Sequence, residues 1–270
     1  MFILLLLNQI LSKSIPLSPP SSKITQSLNC TGPYCEMYIK SLEVAKTPVP
    51  SRIFRALTPI NRSNSKLIFD DQGLVLMVSA GLSKYFPNIT NSTFELPIET
   101  WFTAYPDLKA SCKQYSVQNK TLRMLQQLGL PPIEPINAIV EVFVNLTDLF
   151  RPCPDPEIFD SECLLEVPVI NVRSNNSEAP WFCPENGQEF VQVASRWVNV
   201  NTEHFIWMCN NWRGSYNSTE AYMNYPWTGL GYTYDWATQL GYGLSEFVVG
   251  KGSIVKFKAR YNIEEYCALS

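Results

Sequence analysis

Histidine is almost missing from this chain: of 270 residues, His204 is the one example. That scarcity excludes a two-histidine metal centre and any chemistry pairing a histidine acid with a histidine base. No Gly-x-Ser-x-Gly stretch is present to seat a hydrolase serine, and no Cys-x-x-Cys offers the common zinc or redox dithiol spacing. Positive charge is not in excess either. A formal net charge of −3 and a pI near 5.4 give no general attraction to nucleic acid or to acidic membranes, so no nucleic-acid partner is expected. Long apolar runs are lacking as well. The one at Phe2–Leu11 is about half of the roughly twenty residues that a bilayer span needs, so no membrane span is expected. The GKGS at 250–253 fails as a phosphate loop, because Ser245 stands where the first glycine belongs and Gly252 where Ser or Thr should follow the lysine.

What is present points to the secretory route. The apolar run fits the core of a signal peptide over residues 1–14, with Ser12 and Ser14 as small residues before the cleavage point. Cleavage is expected rather than a signal anchor, because no longer apolar run follows. Residues 15–29 are rich in Pro and Ser and read as an extended leader. Asn-x-Ser/Thr acceptors recur at Asn29, Asn61, Asn88, Asn91, Asn119, Asn145, Asn175 and Asn217, more often than chance would place them. Eight cysteines suit four disulfides in an oxidising compartment. They allow about a hundred connectivities. We expect Cys30–Cys35, Cys112–Cys267, Cys153–Cys163 and Cys183–Cys209, the third having the clearest local reason because it closes a short Pro-rich loop. A secreted or cell-surface glycoprotein is the expectation.

Short β-prone runs and frequent proline predict an α+β fold over residues 30–270, a single disulfide-stapled domain of mainly antiparallel strands and hairpins with about three short helices. Folded structure is expected to begin near Ser51. Residues 66–80 read as a hairpin about Asp70-Asp71-Gln72-Gly73, 97–105 as a strand, and 138–146 as an alternating strand. Residues 119–132 carry helix punctuation: Asn119 as cap, leucines near helical spacing, Gly129 and Pro131 as stops. Asn119 is also a glycan acceptor, and cap and glycan are expected to conflict. Phe205, Met208, Cys209 and Trp212 share one helical face. Near the end, two strands about Gly250-Lys251-Gly252 are expected to pair as a hairpin, with Lys256, Lys258 and Arg260 on one face of the second.

Chemistry concentrates between residues 225 and 247. A strand there would place Tyr232, Tyr234 and Trp236 on one face, near Trp227, and rings so arranged suit either a packed core or stacking against a glycan. Glycines 229, 231, 241 and 243 would allow tight turns or close approach to a ligand. Asp235 and Glu246 flank this Gly-rich connection, and two carboxylates facing one cleft are the minimum for glycoside hydrolysis. Arg151 and His204 are the candidate assistants. Arg151 would meet either an acid of the loop Asp155–Glu162 or an anionic ligand. The acids of that loop read mainly as solvated, with calcium as the alternative. No cofactor motif or resident metal site is expected.

The blocks LFRPCPDPEIFDSEC, PWTGLGYTYDW and GLSEFVV, with a final EEYC, resemble a group of uncharacterised bacterial secreted proteins over roughly residues 97–267. The resemblance implies no activity. It implies that Cys153, Cys163 and Cys267 belong to a common framework, and that Cys30, Cys35, Cys183, Cys209 and the glycan acceptors are additions suited to a eukaryotic secretory route. Two functions follow as expectations. The first is an extracellular protein binding an unknown ligand, such as a glycan, on the aromatic face at 225–247. The second is a secreted hydrolase or transferase using Asp235 and Glu246.

Overall fold

The computed structural model describes residues 30–81, 83, 86, 92–116, 119–163, 190–193, 196–199 and 203–268, with side chains described outside 190–199. The expected signal segment 1–14, the leader 15–29, Asn29, Asn88, Asn91, Asn175 and Cys183 lie outside the described residues. The chain first lays down β1 (Val75–Gly81), β2 (Thr93–Glu95), β3 (Thr100–Ala104), β4 (Ala138–Val144) and β5 (Leu149–Phe150). The strands β6 (Phe190–Val193) and β7 (Arg196–Asn199) follow, then β8 (Tyr232–Tyr234), β9 (Tyr242–Ser245), β10 (Phe247–Val249) and β11 (Ile254–Tyr261). Among the described residues five α-helices accompany them: α1 (Pro33–Ala45), α2 (Asp107–Lys113), α3 (Lys120–Gln127), α4 (Glu203–Tyr216) and α5 (Ile263–Ala268). The fold is α+β, with more helix than the three short ones the sequence suggests.

Seven strands form one antiparallel sheet in the order β2-β11-β4-β1-β3-β10-β5, while β6 pairs β7 and β8 pairs β9. Side-chain alternation gives the large sheet two apolar faces. Val75, Met77, Phe102, Val142, Phe247 and Val249 point one way and pack under Ile60, Leu67 and Ile158. Val78 and Ile139 point the other way, into a layer with Leu108 of α2, Met124 and Leu125 of α3, and Tyr266 of α5. Covered on both sides, β4 buries all seven of its residues, Glu141 included, where a half-exposed alternation was expected.

Three local expectations change. Asp70 builds the turn at 70–73 by accepting from the amides of Gln72 and Leu74, and pairing across it is short: the Phe69–Val75 bridge, the Asp70 amide on the Leu74 carbonyl and the Leu76 amide on the Ile68 carbonyl. The turn at Gly250–Gly252 forms, but β10 and β11 do not pair with each other: β10 lies between β3 and β5, and β11 between β4 and β2. Ordered structure also starts before Ser51, because α1 buries Tyr38, Leu42 and Ala45 at helical spacing against Tyr234 and Trp236. On β11 the basic positions face outward, Lys258 and Arg260 being exposed and Lys256 half-buried beside Asp70.

The bridges Cys30–Cys35, Cys112–Cys267 and Cys153–Cys163 form as expected. Cys209 is disulfide-bonded; its expected partner Cys183 lies outside the described residues. Among the described residues no helix is long and apolar enough to cross a membrane.

Candidate functional site

The layer between the sheet and α2 and α3 contains the site. Val78 opposes Glu141 on one side and Thr103 on the other, so these side chains share the helix-covered face. Phe247 opposes Phe102 on the far face, and Glu246, one residue earlier, turns to the helix side with Thr103. Here the sheet and helices leave a cavity of about 60 Å³. Glu246, Thr103, Thr233, Ser79 and Trp101 supply its polar wall, and Val78, Leu108, Leu128 and Leu130 its apolar one. At roughly 10–15 Å³ per water position, it has room for about four waters or a small organic group.

Glu246 is only 6% exposed, and its Oε2 has no hydrogen-bond partner among the described residues; nor has the hydroxyl of Thr103. Burial disfavours the charged form and pushes the Glu246 carboxyl up to about 8, so it is mostly protonated at neutral pH. Buried polar atoms are nearly always paired in folded proteins. Two unpaired ones line this cavity, where water or another polar group has room to meet them. The same face holds further unpaired atoms, Glu141 Oε1 and Tyr266 Oη, and burial raises both groups. Thr233 is satisfied by the carbonyl of Gln127 at 2.7 Å and the amide of Leu244 at 2.8 Å.

Asp235 does not join this wall. Arg123 holds both of its oxygens, at 3.0 and 2.6 Å, and the Ala237 amide adds a third bond. The expected carboxylate pair does not converge on the cavity, because Asp235 is taken by a cation on α3. Arg151 is fully buried and donates to Asp160 Oδ1 at 2.7 Å and to the carbonyls of Glu162 and Thr58. It braces the Cys153–Cys163 loop and does not face a ligand. Glu162 pairs with Arg55, and Glu157 accepts from the amides of Phe159 and Asp160, so Glu157, Asp160 and Glu162 of this loop have protein partners. His204, on α4, donates from Nε2 to the Cys153 carbonyl at 2.7 Å, and its ring stacks on Trp207. Burial lowers its pKa.

The aromatic row is core and does not form an open wall. Tyr232, Tyr234, Trp236 and Trp227 are all buried. Tyr232 donates to the Arg52 carbonyl, Trp236 donates to the Leu130 carbonyl, and Tyr38 meets the Trp236 ring edge-on. The close approach at Gly243 is likewise internal: a Cβ there would strike Thr233 and the Gln127 carbonyl. Sequence reasoning missed Thr103, and it missed Glu99. The Glu99 carboxylate accepts from the Trp207 indole at 2.6 Å, and burial pushes it up to about 7. Thr103 was legible only as an alternate position of the strand 97–105, on the side opposite Phe102.

No known family model, curated protein or solved structure matches the chain.

Proposed function

We propose that this is an extracellular glycoprotein that binds a small ligand in the cavity beneath α2 and α3, with Glu246 as the group the ligand meets. The observation that carries this reading is the unpartnered Glu246 oxygen facing a cavity beside the unpartnered Thr103 hydroxyl. Three described disulfides support an oxidising compartment, and the acceptors Asn119, Asn145 and Asn217 are exposed. Binding is preferred to the hydrolase or transferase reading because Asp235, Arg151 and His204 are engaged by protein partners. That leaves one titratable group at the cavity where glycoside hydrolysis needs two. Glycan stacking on the 225–247 rings loses its surface, since those rings are buried.

The test is a thermal-shift screen of small polar compounds on the secreted protein, repeated on Glu246→Gln and Thr103→Val. A ligand of this cavity should lose about tenfold or more in affinity on Glu246→Gln, since an unpaired buried group costs 1–3 kcal/mol or more. Ligands that bind equally to wild type and both variants would place binding elsewhere and sink the reading.

A further inference from the structure

The cavity wall offers one sign of charge. Among the described residues Glu246 is the one ionisable side chain in its lining, and no described Lys, Arg or His lines it. The ionisable groups nearby are turned to other partners. Asp107 of α2 accepts from the Thr58 hydroxyl at 2.5 Å, Arg123 of α3 binds Asp235, and Tyr216 of α4 donates to the Trp227 carbonyl. Glu141 stands on β4, with β1 and β3 between it and β10, and Lys109 lies over the rings of Tyr105 and Tyr266. An anionic ligand would therefore enter a site with no cation to receive it. Glu246 Oε2 and Thr103 Oγ1, two unpaired atoms of the wall, are oxygens able to accept hydrogen bonds. An ammonium is the complementary group, with three N–H donors and no acceptor. Trp101 in the wall adds an aromatic ring, which favours a cation over a neutral group.

We propose, building on the binding reading above, that the cavity receives the ammonium head of a small alkylamine, which pairs with the Glu246 carboxylate and donates to the Thr103 hydroxyl. The volume of about 60 Å³ limits the head to a few heavy atoms. Because burial holds Glu246 protonated at neutral pH, the acid releases its proton to solvent as the ammonium arrives. The balance is one cation bound for one proton released, with the amine keeping its own.

Methylammonium and ethylammonium, with ethanol and acetate as neutral and anionic counterparts, are the probes for titration calorimetry between pH 6 and 8.5. Running each titration in two buffers of different ionisation enthalpy counts the protons. The expected result is nearly one proton released per amine at pH 6.5. Affinity should rise about tenfold per pH unit and level near pH 8. Ethanol and acetate should bind at least about tenfold more weakly. Glu246→Gln should remove the pH dependence and about tenfold or more of the affinity. Thr103→Val should weaken binding several-fold while keeping the proton release, with circular dichroism checking that both variants fold. Amine binding that is independent of pH, or unchanged by Glu246→Gln, overturns the inference. If ethanol binds as tightly as ethylammonium and loses affinity on Glu246→Gln, the cavity still binds ligands and only the ammonium is wrong. If a wider screen also finds no ligand that depends on Glu246, both readings fall.

Discussion

Glu246 keeps in the folded chain a proton that the unfolded chain gives up, and that difference is measurable without any ligand. Its folded pKa, about 8, lies above an unfolded value near 4.5. Between these, the native state binds more protons than the unfolded state, so this group's contribution is full below about pH 4.5 and is lost as pH rises to 8. Glu99, raised to about 7, acts with the same sign over the lower part of that range. Wild-type stability from urea denaturation should fall by on the order of a few kcal/mol between pH 5 and 8.5. Glu246→Gln should flatten the segment from pH 7 to 8, where Glu99 no longer contributes. A wild-type curve that is level across that segment would refute the buried, protonated acid. Glu246 was visible in the sequence as one flank of a glycine-rich connection. The fate of Asp235 was not, because its partner Arg123 lies 112 residues away and ion-pair choice is made by packing.

Helix α3 shows local chemistry deciding an element. Asn119 Oδ1 accepts from the Leu122 amide at 2.9 Å, satisfying one of the unpaired donors of the first turn. The expected conflict with glycosylation dissolves at atomic level, since a glycan attaches through the amide nitrogen and leaves Oδ1 to cap. Asn119→Ala should cost about 1 kcal/mol, read as a lowered Tm. Thr121→Ala, which destroys the acceptor motif but not the cap, should leave Tm nearly unchanged in unglycosylated protein. Equal losses from both would remove the cap from the account. Signals of this kind act over three or four residues, which is why α3 and α4 were legible. The pairing of the two strands after Glu246 was not, although the strands themselves were expected. Their turn reads as a hairpin turn, but Val248 pairs with Trp101 and Phe257 with Val142, and no local pattern encodes partners so distant. Helix α1 was hidden because Gly32 and Pro33 read as a loop, although proline at a helix start is favourable.

For the molecule as a whole, Cys112–Cys267 ties α2 to α5 across 155 residues, whereas Cys30–Cys35 closes only five. In the chain-entropy account the long loop stabilises by roughly 4–5 kcal/mol and the short one by much less. The double variant Cys112→Ser/Cys267→Ser should therefore shift the denaturation midpoint far more than Cys30→Ser/Cys35→Ser. Comparable shifts would show that native packing, and not unfolded-state entropy, sets the effect. The α+β class and the use of disulfides were legible, because apolar alternation and cysteine content survive without knowledge of contacts, whereas nothing local encodes the Cys112–Cys267 pairing. The cavity was not, because its walls come from β1, β3, α2, the end of α3, β8 and the residue before β10.

The strand order carries one more consequence, for how the protein is made. β10 and β11 follow β1 to β9 in the sequence, yet they fill the places beside β3 and β4. A nascent chain halted before Glu246 has bare edges on both strands and lacks that carboxyl, hence no finished cavity. Unpaired edges invite association with other chains. The sheet can therefore close only once residues 247–261 have been made, which makes the pairing on either side of the Gly250–Gly252 turn a late step in folding during synthesis.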